Sequence, residues 1–257
     1  MPQKTLKTER ELQDLVRGCT FLGTGGGGSP DEGFAALKTA FEAKGSIKWV
    51  DVKNVADDAW TACPYGMGSI APRTPQVLRM MRALGLTRVR VQRKLVQVIK
   101  ELEAYKGIKI EALVPVEIGG FNTPDPLAAG TTLNIPVVDG DYSGGRSIPE
   151  IVQTTPYIYE KNMLPIASVD EWGNVCIIKN AVNYFMGEKI GKLIASAAYG
   201  LAGNCAFLMK GKEMKQIATT NTLTEALHIG VAIRQAREKG KSPVEAAVKA
   251  TGGWLLF

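Results

Sequence analysis

A run of four glycines at residues 25–28 constrains the fold of this chain more than any other sequence feature. Glycine has no Cβ atom, so such a run adopts positive φ angles and lets backbone N–H groups approach a neighbour closely. Ser29 and Glu32 form a capping-box pattern directly after the run, with Pro30 at the first helical position. The sequence therefore predicts a glycine loop that leads into a helix N-terminus, an arrangement that can bind an anion.

The same glycines have a structural alternative, a tight turn between closely packed elements, although a turn needs only one or two of them. The pattern matches neither common nucleotide-binding motif. No lysine follows as in a P-loop, and a helix beginning at the Thr8–Glu11 capping box, rather than a strand, precedes the run. A phosphate- or nucleotide-binding protein is therefore an alternative hypothesis and not the main one.

Apolar segments of strand length alternate with segments of helical periodicity along the chain. Predicted strands cover residues 47–52, 60–65, 108–116, 135–138 and 175–178; predicted helices cover residues 8–18, 30–44, 76–84, 91–105, 127–132, 188–201, 222–238 and 243–251. Such alternation is typical of parallel strands joined by right-handed helical crossovers. The predicted fold is α/β, with a mostly parallel sheet flanked by helices.

Beyond Pro156 the alternation of strands and helices gives way to a turn, one short strand and longer helical stretches. We predict a domain boundary between residues 156 and 166. This gives an N-terminal α/β domain of residues 1–160 and a second, α+β domain of residues 161–257. The chain stops in the apolar run Trp-Leu-Leu-Phe at residues 254–257, whereas most natural C-termini end in polar residues. We therefore expect the second domain to be incomplete.

The net charge of +6 raises the question of a nucleic-acid partner. The densest basic segment, residues 82–94, lacks interleaved aromatic residues, so we interpret it as a solvated helix face and expect no nucleic acid. The first ten residues have no apolar signal region, and no stretch of about 20 apolar residues occurs. We therefore predict a cytoplasmic protein that neither is secreted nor spans a membrane.

The four cysteines are widely separated and form no CxxC pair, which disfavours a zinc site or a disulfide framework. They are Cys19, Cys63, Cys176 and Cys205. We interpret them as reduced thiols, as is usual in the cytosol. The single histidine, His228, lies in an apolar helical stretch, and this scarcity excludes a Ser-His-Asp triad.

Three carboxylates follow two of the predicted strands. Glu117 comes directly after residues 108–116, with Asn122 in the same loop, while Asp139 and Asp141 follow residues 135–138. The carboxyl ends of parallel strands meet at one edge of a sheet, so these side chains are expected to converge there. A buried acid such as Glu117 must be paired or functional. An ordinary Asp-Gly turn is the alternative for the two aspartates.

Arg146 and Glu150 follow closely in sequence. The guanidinium fork of an arginine suits a carboxylate or a developing anion. A structural salt bridge between Arg146 and Glu150 is the alternative interpretation of the pair.

Four segments taken together resemble one family. They are FLGTGGGG at residues 21–28, EIGGFN at 117–122, PVVDGD at 136–141 and GRSIPE at 145–150. Their combination and order are similar to the S-methyl-thiohydantoin desulfurase family, long described as a domain of unknown function associated with hydantoinase/oxoprolinase proteins. Asp170 and the Gly173–Asn174 pair resemble the motif that opens the second domain of that family.

The resemblance implies a hydrolase that removes sulfur from a small cyclic amide or thioamide, releasing a thiol and a hydantoin. The candidate catalytic residues are Glu117, Asp141 and Arg146. The candidate substrate-binding residues are Thr24, Gly25, Gly26, Gly27, Gly28, Asn122, Asp139 and Glu150. The sequence does not identify a cofactor. If a divalent metal assists, Glu117, Asp139 and Asp141 would be its ligands.

Partner expectations are also tied to this resemblance. We expect a homo-oligomer and consider a hydantoinase/oxoprolinase enzyme as a further partner. The alternative to an enzyme is a non-catalytic companion subunit of such an enzyme, which would use the same loops structurally.

Overall fold

One eight-stranded mixed sheet forms the centre of the protein in a computed structural model that describes residues 4–255. The strands are β1 (Lys4–Leu6), β2 (Ile47–Val50), β3 (Trp60–Gly68), β4 (Ala112–Leu113), β5 (Val137–Val138), β6 (Gly140–Asp141), β7 (Ile166–Val169), β8 (Val175–Ile178), β9 (Leu201–Lys210) and β10 (Thr219–Thr220). The order in the main sheet is β1-β2-β5-β4-β3-β9-β7-β8, and β6 pairs with β10 separately.

The sheet has a parallel core with antiparallel additions on both sides. Strands β2, β5, β4 and β3 are parallel, β1 pairs antiparallel with β2, and β9, β7 and β8 continue antiparallel from β3. The predicted α/β class with a parallel sheet is confirmed for this core. Residues 166–210 extend the same sheet, so the C-terminal α+β part shares a sheet with the N-terminal part.

Helices cover both faces of the sheet. They are α1 (Glu9–Gly23), α2 (Pro30–Lys44), α3 (Pro75–Ala83), α4 (Lys94–Lys106), α5 (Pro124–Leu133), α6 (Thr155–Ile158), α7 (Tyr184–Ala197), α8 (Gly211–Ile217), α9 (Thr222–Glu238) and α10 (Pro243–Ala250). Apolar residues of α1, α2, α4, α5 and α9 form the core on one face. A second core cluster on the other face includes residues of α8, with α7 packed against it.

Local capping determines where the first two helices begin and end. Thr8 and Glu11 complete a capping box, Ser29 accepts a hydrogen bond from the Glu32 N–H group, and Gly45 ends α2 with a φ of 76°. The prediction that α1 ends near residue 18 was wrong.

Gly18 lies inside α1, where it allows a close crossing with α9. A Cβ atom at that position would lie 1.6 Å from the carbonyl oxygen of Ala226. The glycine therefore serves helix packing and not helix termination.

Two further sequence predictions, for the basic segment 82–94 and for the region of β9, were wrong. The basic segment 82–94 is mostly the connection between α3 and α4 and not a helix face, since α3 ends at Ala83 and Gly85 adopts a φ of 75°. Strand β9 was missed, and its first residue was assigned to a helix, because residues 202–207 are all buried and show no alternation.

No helix among residues 4–255 combines the length and the apolar character needed to cross a bilayer. The last two residues of the apolar C-terminal run and the first three residues of the polar N-terminus lie outside the described part of the chain.

We predict that Gly18→Ala lowers the free energy of unfolding by about 1–3 kcal/mol, because the added methyl group meets the backbone of α9. Gln13→Ala, an exposed change in the same helix, should stay within about 0.5 kcal/mol of the wild type. Urea denaturation measures both values. Equal unfolding midpoints for the two variants would contradict the close α1–α9 crossing.

Candidate active site

A cavity of about 260 Å³ lies at the carboxyl ends of β3 and β4. Its wall combines the glycine loop at residues 25–28, the end of β3, the loop that follows β4, residues 148–151, and α7. Ligands of open α/β sheets bind at this edge, so the parallel core places the cavity where the sequence analysis expected a site. Of the candidate residues, those in the wall are Gly25, Gly26, Gly27, Gly28, Glu117, Asn122 and Glu150.

The glycine loop packs backbone against backbone on the loop after β4. The carbonyl oxygen of Gly27 accepts hydrogen bonds from the N–H groups of Phe121 (2.8 Å) and Asn122 (3.0 Å). A Cβ atom on Gly27 would lie 2.4 Å from the Cα atom of Gly119, so no other residue fits without displacement of the backbone. The tight-turn interpretation therefore accounts for this glycine.

Three backbone donors of the loop have no partner in the described part of the chain. Gly25, Gly27 and Gly28 have φ angles of 96°, 75° and 84°, and their N–H groups have no acceptor among residues 4–255. A Cβ atom on Gly25 would meet nothing within 4 Å, so close packing does not explain this residue. Unused N–H groups beside the N-terminus of α2 suit a negatively charged or carbonyl oxygen of a ligand.

Glu117 is a buried carboxylate in the wall of the cavity, with only 4% of the residue exposed. Its Oε1 atom accepts a hydrogen bond from Asn122 Nδ2 and its Oε2 atom accepts one from the Ile148 N–H group, both at 2.7 Å. The Asn122 side chain also bonds to both backbone groups of Gly66 in β3. The carboxylate is therefore held rigidly at the end of the parallel core.

Asp139 lies outside the cavity wall and serves the fold. Its carboxylate accepts hydrogen bonds from the N–H groups of Leu223 and Thr224, both at 3.0 Å, and from the Thr224 hydroxyl. These N–H groups belong to the first turn of α9, so Asp139 ties the N-terminus of that helix to the sheet.

Asp141 is also buried outside the cavity wall. It accepts hydrogen bonds from the Ser143 hydroxyl (2.8 Å) and the Gly145 N–H group (3.0 Å). Burial raises the pKa of Asp141 to about 7, these donors lower it in part, and the negative charge of Glu117 raises it further. Asp141 thus stabilises the turn that leads to residues 148–151.

Two further candidates from the sequence, Thr24 and Arg146, lie at the surface, whereas Asp170 is buried in a turn. Thr24 is exposed at the end of α1, outside the cavity wall. The side chain of Arg146 is exposed and outside the wall, and it forms no ion pair with any residue between 4 and 255, so the salt bridge with Glu150 is not formed. Asp170 accepts three hydrogen bonds from Trp172 and Asn174 within its own turn.

The residues between 4 and 255 contain no group of three or more His, Cys, Asp or Glu side chains that could hold a metal ion. Glu117, Asp139 and Asp141 take part in three separate hydrogen-bond networks. The three-carboxylate ligand set considered from the sequence therefore does not come together.

No cysteine or histidine among residues 4–255 lines the cavity. The four cysteines have free thiols, and burial raises the pKa of Cys63 well above its ordinary value, so this thiol stays protonated. His228 is exposed on α9.

Three polar residues of the wall were missed by the sequence analysis: Tyr65, Glu188 and Lys192. Tyr65 ends the predicted strand 60–65, so the rule that identified Glu117 would have identified it too. Glu188 and Lys192 lie four residues apart on α7 and form a salt bridge of 2.8 Å between Oε1 and Nζ. That spacing within a predicted helix was a usable signal.

Family models match almost the whole chain. The model described as "S-Me-THD-like, N-terminal domain" matches residues 10–180, and the model described as "S-Me-THD-like, C-terminal domain" matches residues 182–257. The chain belongs to this family. The resemblance to S-methyl-thiohydantoin desulfurases stated from the four segments is thereby confirmed, whereas the domain boundary at residues 156–166 stays a prediction.

A crystal structure of a protein from Chromobacterium violaceum is similar to this S-Me-THD-like chain, with a TM-score of 0.75 and 21% sequence identity. The similarity covers 96% of this chain and 65% of that one. At this identity the likeness shows the fold alone. A search of curated proteins gave no match.

The raised pKa of Asp141 generates a stability prediction. In the unfolded chain an aspartate has a pKa of about 3.9, so between that pH and about 7 only the folded protein holds the proton. Raising the pH through this window should therefore destabilise the fold by up to about 1.4 kcal/mol per pH unit from this group. Above pH 7 the contribution is constant.

Asp141→Asn should lack this pH dependence. Urea denaturation of wild type and variant at pH 5, 6, 7 and 8 measures the difference. A difference in unfolding free energy that is the same at every pH would show that Asp141 has an ordinary pKa in the folded protein.

Proposed function

We propose that this S-Me-THD-like chain belongs to a hydrolase that desulfurises an S-methyl-thiohydantoin-type ring. The family supports the substrate class. The volume of the cavity, about 260 Å³, supports a small cyclic substrate, since drug-sized ligands occupy roughly 300–1,000 Å³.

The observation that carries this proposal is the fixed Glu117 carboxylate in the same cavity wall as the unused glycine N–H groups. A hydrolysis needs an acceptor for the proton of the attacking water and donors for the negative charge that develops on the substrate. Glu117 supplies the acceptor, and the N–H groups of Gly25, Gly27 and Gly28 supply donors.

The reaction then proceeds by addition and elimination. Water adds through its oxygen to the ring carbon that bears sulfur, and Glu117 takes one proton from the water. The electron pair of the carbon–nitrogen double bond moves to the ring nitrogen, which gains a proton. Collapse of the tetrahedral intermediate breaks the carbon–sulfur bond, so that the ring keeps a new carbonyl group and methanethiol leaves with a proton.

Binding of the ring is assigned to the glycine loop. A ring carbonyl oxygen accepts hydrogen bonds from the loop N–H groups at the N-terminus of α2, which fixes the ring relative to Glu117. Glu150 is exposed at the rim of the cavity, where it can contact substituents of the ring. Asn122 acts through Glu117, because its amide holds the carboxylate in position.

We predict that Glu117→Gln lowers kcat by about 100-fold or more for thiol release from an S-methyl-thiohydantoin, since the amide cannot take the proton of water. Glu117→Asp, which keeps the charge but shortens the side chain, should retain more activity than the glutamine variant. Thiol release is measured colorimetrically, with melting temperature as a check on folding.

Glu245→Gln provides a matched control, because Glu245 is exposed on α10 and lies outside the cavity wall. It should keep wild-type kcat. Wild-type turnover in folded Glu117→Gln would refute the role of Glu117, and absence of thiol release from the wild type with every S-alkyl thiohydantoin would refute the proposed reaction.

A further inference from the structure

The Tyr65 hydroxyl is a buried polar group without a partner. Only 3% of the residue is exposed, and the hydroxyl makes no hydrogen bond with any atom of residues 4–255. An unsatisfied buried hydroxyl costs roughly 1–3 kcal/mol, so such groups are rare in folded proteins unless they have a function. Tyr65 also forms part of the wall of the cavity that holds Glu117.

The two buried carboxylates of the cavity wall have partners other than Tyr65. Each carboxylate oxygen of Glu117 accepts one hydrogen bond, from Asn122 and from Ile148. The Glu188 carboxylate accepts one from the Ile151 N–H group at 3.2 Å and is paired with Lys192. The hydroxyl of Tyr65 bonds to neither carboxylate, so it is left as a donor for an atom of a ligand.

The environment keeps this hydroxyl protonated. Burial raises the pKa of Tyr65 well above its ordinary value, and negative charge on Glu188 adds to the rise. A neutral phenol is a hydrogen-bond donor throughout the physiological pH range. Glu117 is an acceptor in the same cavity, so the wall provides one fixed acceptor and one uncommitted side-chain donor.

The proposed reaction requires such a donor at one defined atom. When water adds to the carbon that bears sulfur, negative charge develops on the adjacent ring nitrogen, and a proton must reach that nitrogen. We infer that Tyr65 is a catalytic residue whose hydroxyl hydrogen-bonds to this ring nitrogen and protonates it as water adds. The inference rests on the proposed function.

Protons and bonds balance in this step. Glu117 takes a proton from water, the new carbon–oxygen bond forms, and the ring nitrogen takes the Tyr65 proton. The hydroxyl of the tetrahedral intermediate then releases its proton to the Tyr65 oxygen as the carbon–sulfur bond breaks. The leaving sulfur takes the proton held by Glu117, which returns both residues to their starting states.

Tyr65→Phe tests the assignment because it removes the hydroxyl and keeps the ring. At pH 8 we expect kcat to fall by about 100-fold or more, with KM within about 3-fold of the wild type. Solvent protons replace the missing donor as the pH falls. The ratio of wild-type to variant kcat should therefore shrink to about 10 or less at pH 6.

Tyr142→Phe is the matched control. Tyr142 is fully buried in the same core cluster, its hydroxyl bonds to the sulfur of Met209 at 3.8 Å, and it lies outside the cavity wall. Its kcat should equal that of the wild type at every pH. Melting temperatures of both variants report any loss of folding.

The outcomes are separable. A ratio near 1 for Tyr65→Phe, or a loss of activity that does not change between pH 6 and pH 8, overturns the role of Tyr65 and leaves the proposed reaction standing. If the wild type releases no thiol at any pH, the proposed reaction is wrong and the role of Tyr65 fails with it.

Discussion

The contact between Gly27 and Gly119 is the constraint on which the cavity depends. Two loops from distant parts of the sequence approach so closely that a Cβ atom on either glycine would lie 2.4 Å from the Cα atom of the other. The carbonyl oxygen of Gly27 accepts the Phe121 and Asn122 N–H groups, which ties the two loops together. Glu117 and the glycine loop line the same cavity because of this contact.

Near this contact, Asp139 and Asp141 have structural roles, whereas Glu117 lines the cavity. Asp139 anchors α9 and Asp141 stabilises a turn, each through backbone N–H groups. Glu117 is also hydrogen-bonded, yet it remains in the cavity wall. Three acids at the ends of neighbouring strands thus have different roles, and hydrogen-bond partners and access to the cavity distinguish them.

Much of the fold could be predicted from the sequence where local signals were strong. The Thr8 capping box, the start of α2 after Ser29 and the full extent of α9 (Thr222–Glu238) follow from capping patterns and helical periodicity. Strand β9 could not be found in this way, because its residues are buried on both faces and their pairing with β3 is a long-range contact.

The candidate site was predicted only in part, because local signals in the sequence indicate some of its residues and long-range contacts determine the others. The rule that ligands bind at strand ends indicated Glu117, and the glycine run before a helix start indicated the loop at residues 25–28. Both line one cavity. The strand-end rule could not distinguish Glu117 from Asp139. The carboxylate of Asp139 bonds to the N-terminus of α9, which lies about 80 residues later in the sequence. Arg146 was proposed from its chemistry and from the family resemblance, and its exposure depends on a turn that the sequence does not define.

A crystal structure of this chain with a hydantoin bound would test the central claim most directly. We predict that the ring lies in the cavity at the ends of β3 and β4. The carbonyl carbon that bore sulfur in the substrate should face Glu117, and a second ring carbonyl should lie within hydrogen-bond distance of the glycine-loop N–H groups. A hydantoin bound elsewhere on the surface, with this cavity left empty, would contradict it.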